Sequence, residues 1–119
     1  MNKHYKKLLD FAEQKGCRII HDDTHRICFN ANMSITVPIE VTRENLFALA
    51  HEIGHLIDYV NGELDHAQWL HDDAYRITAE MSAWVNAHRL LKDLGIPTEG
   101  YRGHVDSKLS SYFKYEQVI

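Results

Sequence analysis

The sequence predicts a small α+β domain in which a short antiparallel or mixed sheet packs on two long helices. Three observations carry that expectation. Residues 30–37 alternate polar and apolar side chains strictly (Asn30, Ala31, Asn32, Met33, Ser34, Ile35, Thr36, Val37), the period of a strand with one buried face. Leu46, Phe47, Ala50, Ile53, Gly54 and Ile57 recur at helical spacing behind Thr42, a good N-cap. A second helical stretch runs from a cap at Asp72 or Asp73 to Leu94, with Gly95 as its stop and Pro97 just beyond.

The other elements follow in chain order. Tyr5, Leu8, Leu9, Phe11 and Ala12 give residues 3–15 a helical spacing that ends at Gly16. Residues 17–21 read as a short strand, Asp22-Asp23-Thr24 as a turn, and 26–29 as an extended run into the alternating segment, with a tight turn near Asn30 or Asn32 as its natural break. Pro38 ends that segment. Glu44 in the first turn of the next helix suits its dipole, and Asn61-Gly62 stops it. Residues 63–72 read as a polar loop, 98–105 as irregular chain, and Asp106 as the start of a final short helix through Tyr112 to Gln117.

Composition excludes several classes. A chain of 119 residues, 45% hydrophobic, supports one core, so residues 1–119 are expected to form one domain without a linker. The formal charge of −4 and the absence of a basic stripe argue against direct nucleic-acid binding. No apolar run approaches membrane-spanning length and the first residues are charged and amphipathic, so no membrane partner and a cytoplasmic location are expected. Cys17 and Cys28 are too few for a disulfide framework and are expected as buried thiols on neighbouring strands. Nothing in the chain signals an oligomeric state.

The chemistry centres on His51-Glu52-Ile53-Gly54-His55, an H-E-x-x-H string inside the predicted helix. Histidines four residues apart share one helix face, separated by about 6 Å of rise, so both imidazoles can reach one metal ion. Glu52 falls beside the metal's open side, where it can take a proton from a bound water. A catalytic zinc needs a third protein ligand. Asp58 lies about 10 Å along the helix axis from His51, too far to converge, and reads better as an outer or surface carboxylate. Glu80 fits: it shares a helix face with Ile77, Ala83 and Ala87, where a carboxylate is rarely left without a cation. Ala83, one turn on, lets the two helices approach closely. His51, His55 and Glu80 are thus the expected zinc ligands.

The stretch Leu46–Ile57 and the later Ala79-Glu80-Met81-Ser82-Ala83-Trp84-Val85 together resemble the ImmA/IrrE-type metallopeptidases over roughly residues 26–95. That resemblance implies a zincin-like domain and a small cytoplasmic gluzincin, of a kind that cleaves or otherwise relieves transcriptional repressors. Position by position it implies His51, His55 and Glu80 as metal ligands and Glu52 as general base.

The expected function is therefore a Zn2+-dependent peptidase acting on a peptide bond of a protein or peptide substrate. The alternative is a zinc-stabilised binding module that docks a partner without cutting it. A donor to the developing oxyanion is expected from residues 63–75, with His71 and Tyr75 as candidate catalytic groups and His66 as a third. The strand at 30–37, through exposed Asn32, Ser34 and Thr36, is expected to offer an edge to an extended peptide. Trp69, Trp84 and Tyr59 are expected in the core.

Overall fold

The computed structural model describes residues 2–113. Helix α1 (Asn2–Gln14) leads into β1 (Arg18–His21), β2 (Cys28–Asn30) and β3 (Ser34–Val37). Helices α2 (Arg43–Val60), α3 (His66–His71), α4 (Asp73–Asp93) and α5 (Tyr101–Phe113) follow. The result is a small α+β domain whose sheet is mixed and ordered β1-β3-β2, with β1 parallel and β2 antiparallel to β3. Leu8 and Ala12 of α1, Ile35 and Val37 of β3, and Leu49, Ile53 and Leu56 of α2 meet in a dry core. Among the described residues no helix is long and apolar enough to cross a membrane.

The alternating run is broken at the tight turn expected near Asn30 or Asn32 and forms parts of two strands. Residues 31–33 form the turn between β2 and β3, closed by the Met33 N–H donating to the Asn30 carbonyl at 3.1 Å. Met33 takes φ +61°, the left-handed backbone that such a three-residue hairpin loop needs at its last position. The break changes what the segment offers. With β1 on one side and β2 on the other, β3 is the central strand and has no free edge. Ser34, expected to be exposed, is fully buried and is held by Asn30 and Asn32. The edge strands are β1 and β2, and β2 is the one beside the candidate site, where the Phe29 N–H donates to Glu52.

Three further expectations are corrected. Cys17 and Cys28 are not on neighbouring strands: Cys17 precedes β1, Cys28 is in β2, and β3 separates them, although both are free thiols. The polar segment after α2 contains α3, because the Asp65 carboxylate accepts the Gln68 N–H at 3.1 Å and caps a short turn of helix. The last helix starts at Tyr101 rather than Asp106, anchored by the buried Tyr101 hydroxyl donating to the Trp84 carbonyl at 2.6 Å. Its expected end beyond Phe113 lies outside the described residues.

Helices α2 and α4 set the position of the site. A Cβ added to Gly54 would stand 2.8 Å from the Ala83 carbonyl carbon and 2.9 Å from its Cα, so only glycine allows this crossing. One turn further on, the buried Asp58 carboxylate accepts from Ser82 Oγ at 2.6 Å and from Asn86 Nδ2 at 2.8 Å. Asp58 is therefore a clamp between the two helices, not a ligand.

Candidate metal centre

The Thr42 hydroxyl accepts the Asn45 N–H and starts α2 so that Leu49, Ile53 and Leu56 face the core. His51 and His55 then project toward α4, 7% and 3% exposed. From α4, Glu80 enters the same space at 6% exposure. Its Oε2 stands 2.7 Å from His51 Nε2 and 3.1 Å from His55 Nε2. The second contact is a hydrogen bond. His51 Nε2 is buried and ion-paired with that oxygen, without a hydrogen bond of ordinary geometry among the described residues. Three ligand atoms thus converge in one buried space, His55 hydrogen-bonded and His51 ion-paired to the same carboxylate oxygen.

Glu52 lies on the other side of His51. Its Oε1 accepts the Phe29 N–H of β2 at 2.8 Å and its Oε2 is 3.1 Å from His51 Nδ1. Ligand atoms of His51, Glu52 and His55 also fall within 4.8 Å of one another, so two carboxylates border the histidine pair. Glu80 is the one facing both Nε2 atoms, which favours it as the third ligand and leaves Glu52 beside the centre. Burial disfavours a proton on His51, but the carboxylates of Glu52 and Glu80 outweigh it and push its pKa up to about 9. Burial opposes ionisation of Glu80 too, yet His51 and His55 hold its carboxyl well below the usual carboxylate range.

Both tryptophans belong to this centre. Trp84 is buried as expected, but it also stacks on the His51 ring at 3.9 Å between centroids and 5° between planes. Trp69, half-buried, meets His55 edge-on at 5.6 Å. The signal for Trp84 was its place four residues after Glu80, on the same helix face. A cavity of about 460 Å³ opens over His51, Glu52 and Glu80, walled also by Trp69, Trp84 and His104. His104 and the rim residues His25, Arg26 and Lys108 carry no sequence signal of their own, because the fold brings them from distant segments.

His71 and Tyr75 are not brought to that cavity. His71 is exposed at the end of α3. The Tyr75 hydroxyl accepts the Asp65 N–H at 2.8 Å and donates to the Glu63 carbonyl at 3.3 Å, which ties it to the α2–α3 connection. His66 lines a small neighbouring cavity with His55 and Glu52. In comparisons with protein families, curated proteins and solved structures, the chain matches none.

The donor set suits zinc: two imidazoles and one carboxylate are borderline-soft and hard ligands of the kind it takes, and His51 Nε2, which lacks a hydrogen bond of ordinary geometry, is the atom a cation would satisfy.

Proposed function

We propose that the protein is a zinc-dependent peptidase of zincin-like type, in which His51, His55 and Glu80 hold the metal. The observation that carries this reading is the approach of Glu80 Oε2 to both imidazole Nε2 atoms, with that of His51 lacking a hydrogen bond of ordinary geometry. Zinc held by these residues would supply Lewis acidity for attack on a peptide carbonyl. Glu52 would serve as general base, taking a proton from the attacking water and returning it to the leaving amine. The Phe29 N–H holds Glu52 Oε1, so the carboxylate is fixed in place before substrate arrives. Trp84 stacks on the His51 ring, and the cavity over His51, Glu52 and Glu80 is where a segment of the substrate would lie. The resemblance of residues 46–57 and 79–85 to ImmA/IrrE-type enzymes supports the same reading and suggests a repressor protein as substrate.

One observation favours the second reading, a metal-stabilised binding module. Both Glu52 oxygens are engaged within the protein, as a strut between α2 and β2 would be. The substitution Glu52→Gln separates the two. In a peptidase it keeps zinc and fold and abolishes fragment formation when candidate repressor proteins are incubated with the protein and analysed by mass spectrometry. Unchanged fragment yield, or no fragments from either protein with partner binding retained, contradicts the peptidase.

A further inference from the structure

We propose that the cavity over the metal centre prefers peptide segments carrying an acidic side chain, read by Arg26 and Lys108. This rests on the reading of the cavity as a peptide site.

Arg26, just before β2, and Lys108, on α5, both border the cavity and both are exposed. Among the described residues neither side chain makes a hydrogen bond or ion pair. The acids nearest Arg26 in sequence are turned to other work. Asp22 accepts the Thr24 N–H at 2.9 Å and hydroxyl at 2.6 Å and meets His25 Nδ1 at 2.8 Å. Asp23 accepts the Ile39 N–H at 2.7 Å. Both fields reach the cavity wall: after burial, Lys108 disfavours a proton on His104, opposed by Glu44, and Arg26 partly opposes the burial and the Glu52 charge that raise the Cys28 thiol.

Among the described residues the carboxylates on the cavity walls are Glu52 and Glu80, which a divalent metal would neutralise. With Arg26 and Lys108 counted, the loaded cavity is positive on a chain whose formal charge is −4. An acidic segment is attracted there while the rest of the surface repels it. Exposed ion pairs are individually weak, so two of them together support a preference on the order of tenfold at low salt, eroding as the screening length shortens to about 10 Å at 0.1 M.

The test uses the zinc-loaded full chain with Glu52→Gln, which prevents turnover, and fluorescent end-blocked peptides differing only at one central residue: Asp or Glu, Asn or Gln, or Lys. Anisotropy should give acidic peptides about tenfold tighter binding than their amide counterparts in low salt. Adding Arg26→Glu with Lys108→Glu should invert the order in favour of Lys, and Arg26→Gln with Lys108→Gln should level it. Equal binding of acidic and amide peptides, no binding of any peptide, or a preference that survives charge reversal overturns the proposal. So does a preference seen only when a neutral peptide has a free C-terminal carboxylate. If the acidic preference holds while the unsubstituted zinc-loaded protein cuts none of these peptides, the preference stands and the peptidase reading fails.

Discussion

Gly54 lies against the backbone of Ala83 so closely that a single added methyl would overlap the Ala83 carbonyl oxygen. The glycine of the H-E-x-x-H string therefore does a job separate from metal binding: it sets the α2–α4 spacing that lets Glu80 reach both histidines. Gly54→Ala gains about 1 kcal/mol of helix propensity but forces the helices apart, at up to about 3 kcal/mol. A net loss of about 2 kcal/mol in denaturant unfolding, with weakened zinc binding, is expected; a stabilised variant contradicts the packing account.

Asp58 and Glu80 should separate cleanly. Asp58→Ala leaves Ser82 and Asn86 without their buried acceptor, a loss of about 2–3 kcal/mol in unfolding free energy, while zinc affinity falls by no more than about 10–100-fold. Glu80→Ala should abolish stoichiometric zinc. Equilibrium dialysis of both variants checks the order, and a reversed order means the clamp and the ligand have been exchanged.

The metal-free protein should lose stability as the solution becomes alkaline. The His51 pKa is raised, so its contribution is fully present below its ordinary value of about 6.5 and is lost as pH rises through about 9. The Glu80 pKa is depressed, so its contribution is present above the ordinary carboxylate range and is lost in acid. Chelator-treated protein should thus melt highest between about pH 4.5 and 6.5. Zinc behaves oppositely, because His51 must release its proton to bind it: affinity should rise about tenfold per pH unit between pH 6.5 and 8. An affinity independent of pH excludes His51 as a ligand.

Zinc should be visible in tryptophan fluorescence. The chain has two tryptophans, and each touches a histidine of the candidate centre, Trp84 on His51 and Trp69 on His55. A saturating change at one equivalent of zinc is expected, with most of the amplitude lost in Trp84→Phe. No change on zinc addition contradicts the site's location.

Much of this arrangement was legible in the chain. The 3.6-residue spacing behind Thr42 placed the histidines on a helix, and a carboxylate among small and apolar residues marked Glu80, because burial without a cation is costly. What escaped was non-local. The central place of β3 depends on β1 crossing to its far side, and the start of α5 depends on the Tyr101 hydroxyl finding Trp84 seventeen residues back. The turn expected near Asn30 or Asn32 does fall at 31–33, and alternation persists on both sides because a hairpin with matched faces keeps the period. The expected donors His71 and Tyr75 were chosen because the loop had to pass the metal; α3 instead turns His71 outward, and Tyr75 is spent on backbone.

Replacing His71 by Ala should accordingly leave turnover within about threefold of the parent protein, whereas loss of an oxyanion donor typically costs about 10²–10³. Steady-state cleavage of any accepted peptide decides it, and a hundredfold fall would return His71 to the site.

The most direct measurement is anomalous scattering at the zinc edge from crystals of the zinc-loaded protein. The account predicts one peak, about 2.0–2.2 Å from His51 Nε2, His55 Nε2 and a Glu80 carboxylate oxygen, with Glu52 outside bonding distance. A peak bonded to Glu52 in place of Glu80, or none at these residues, would contradict it.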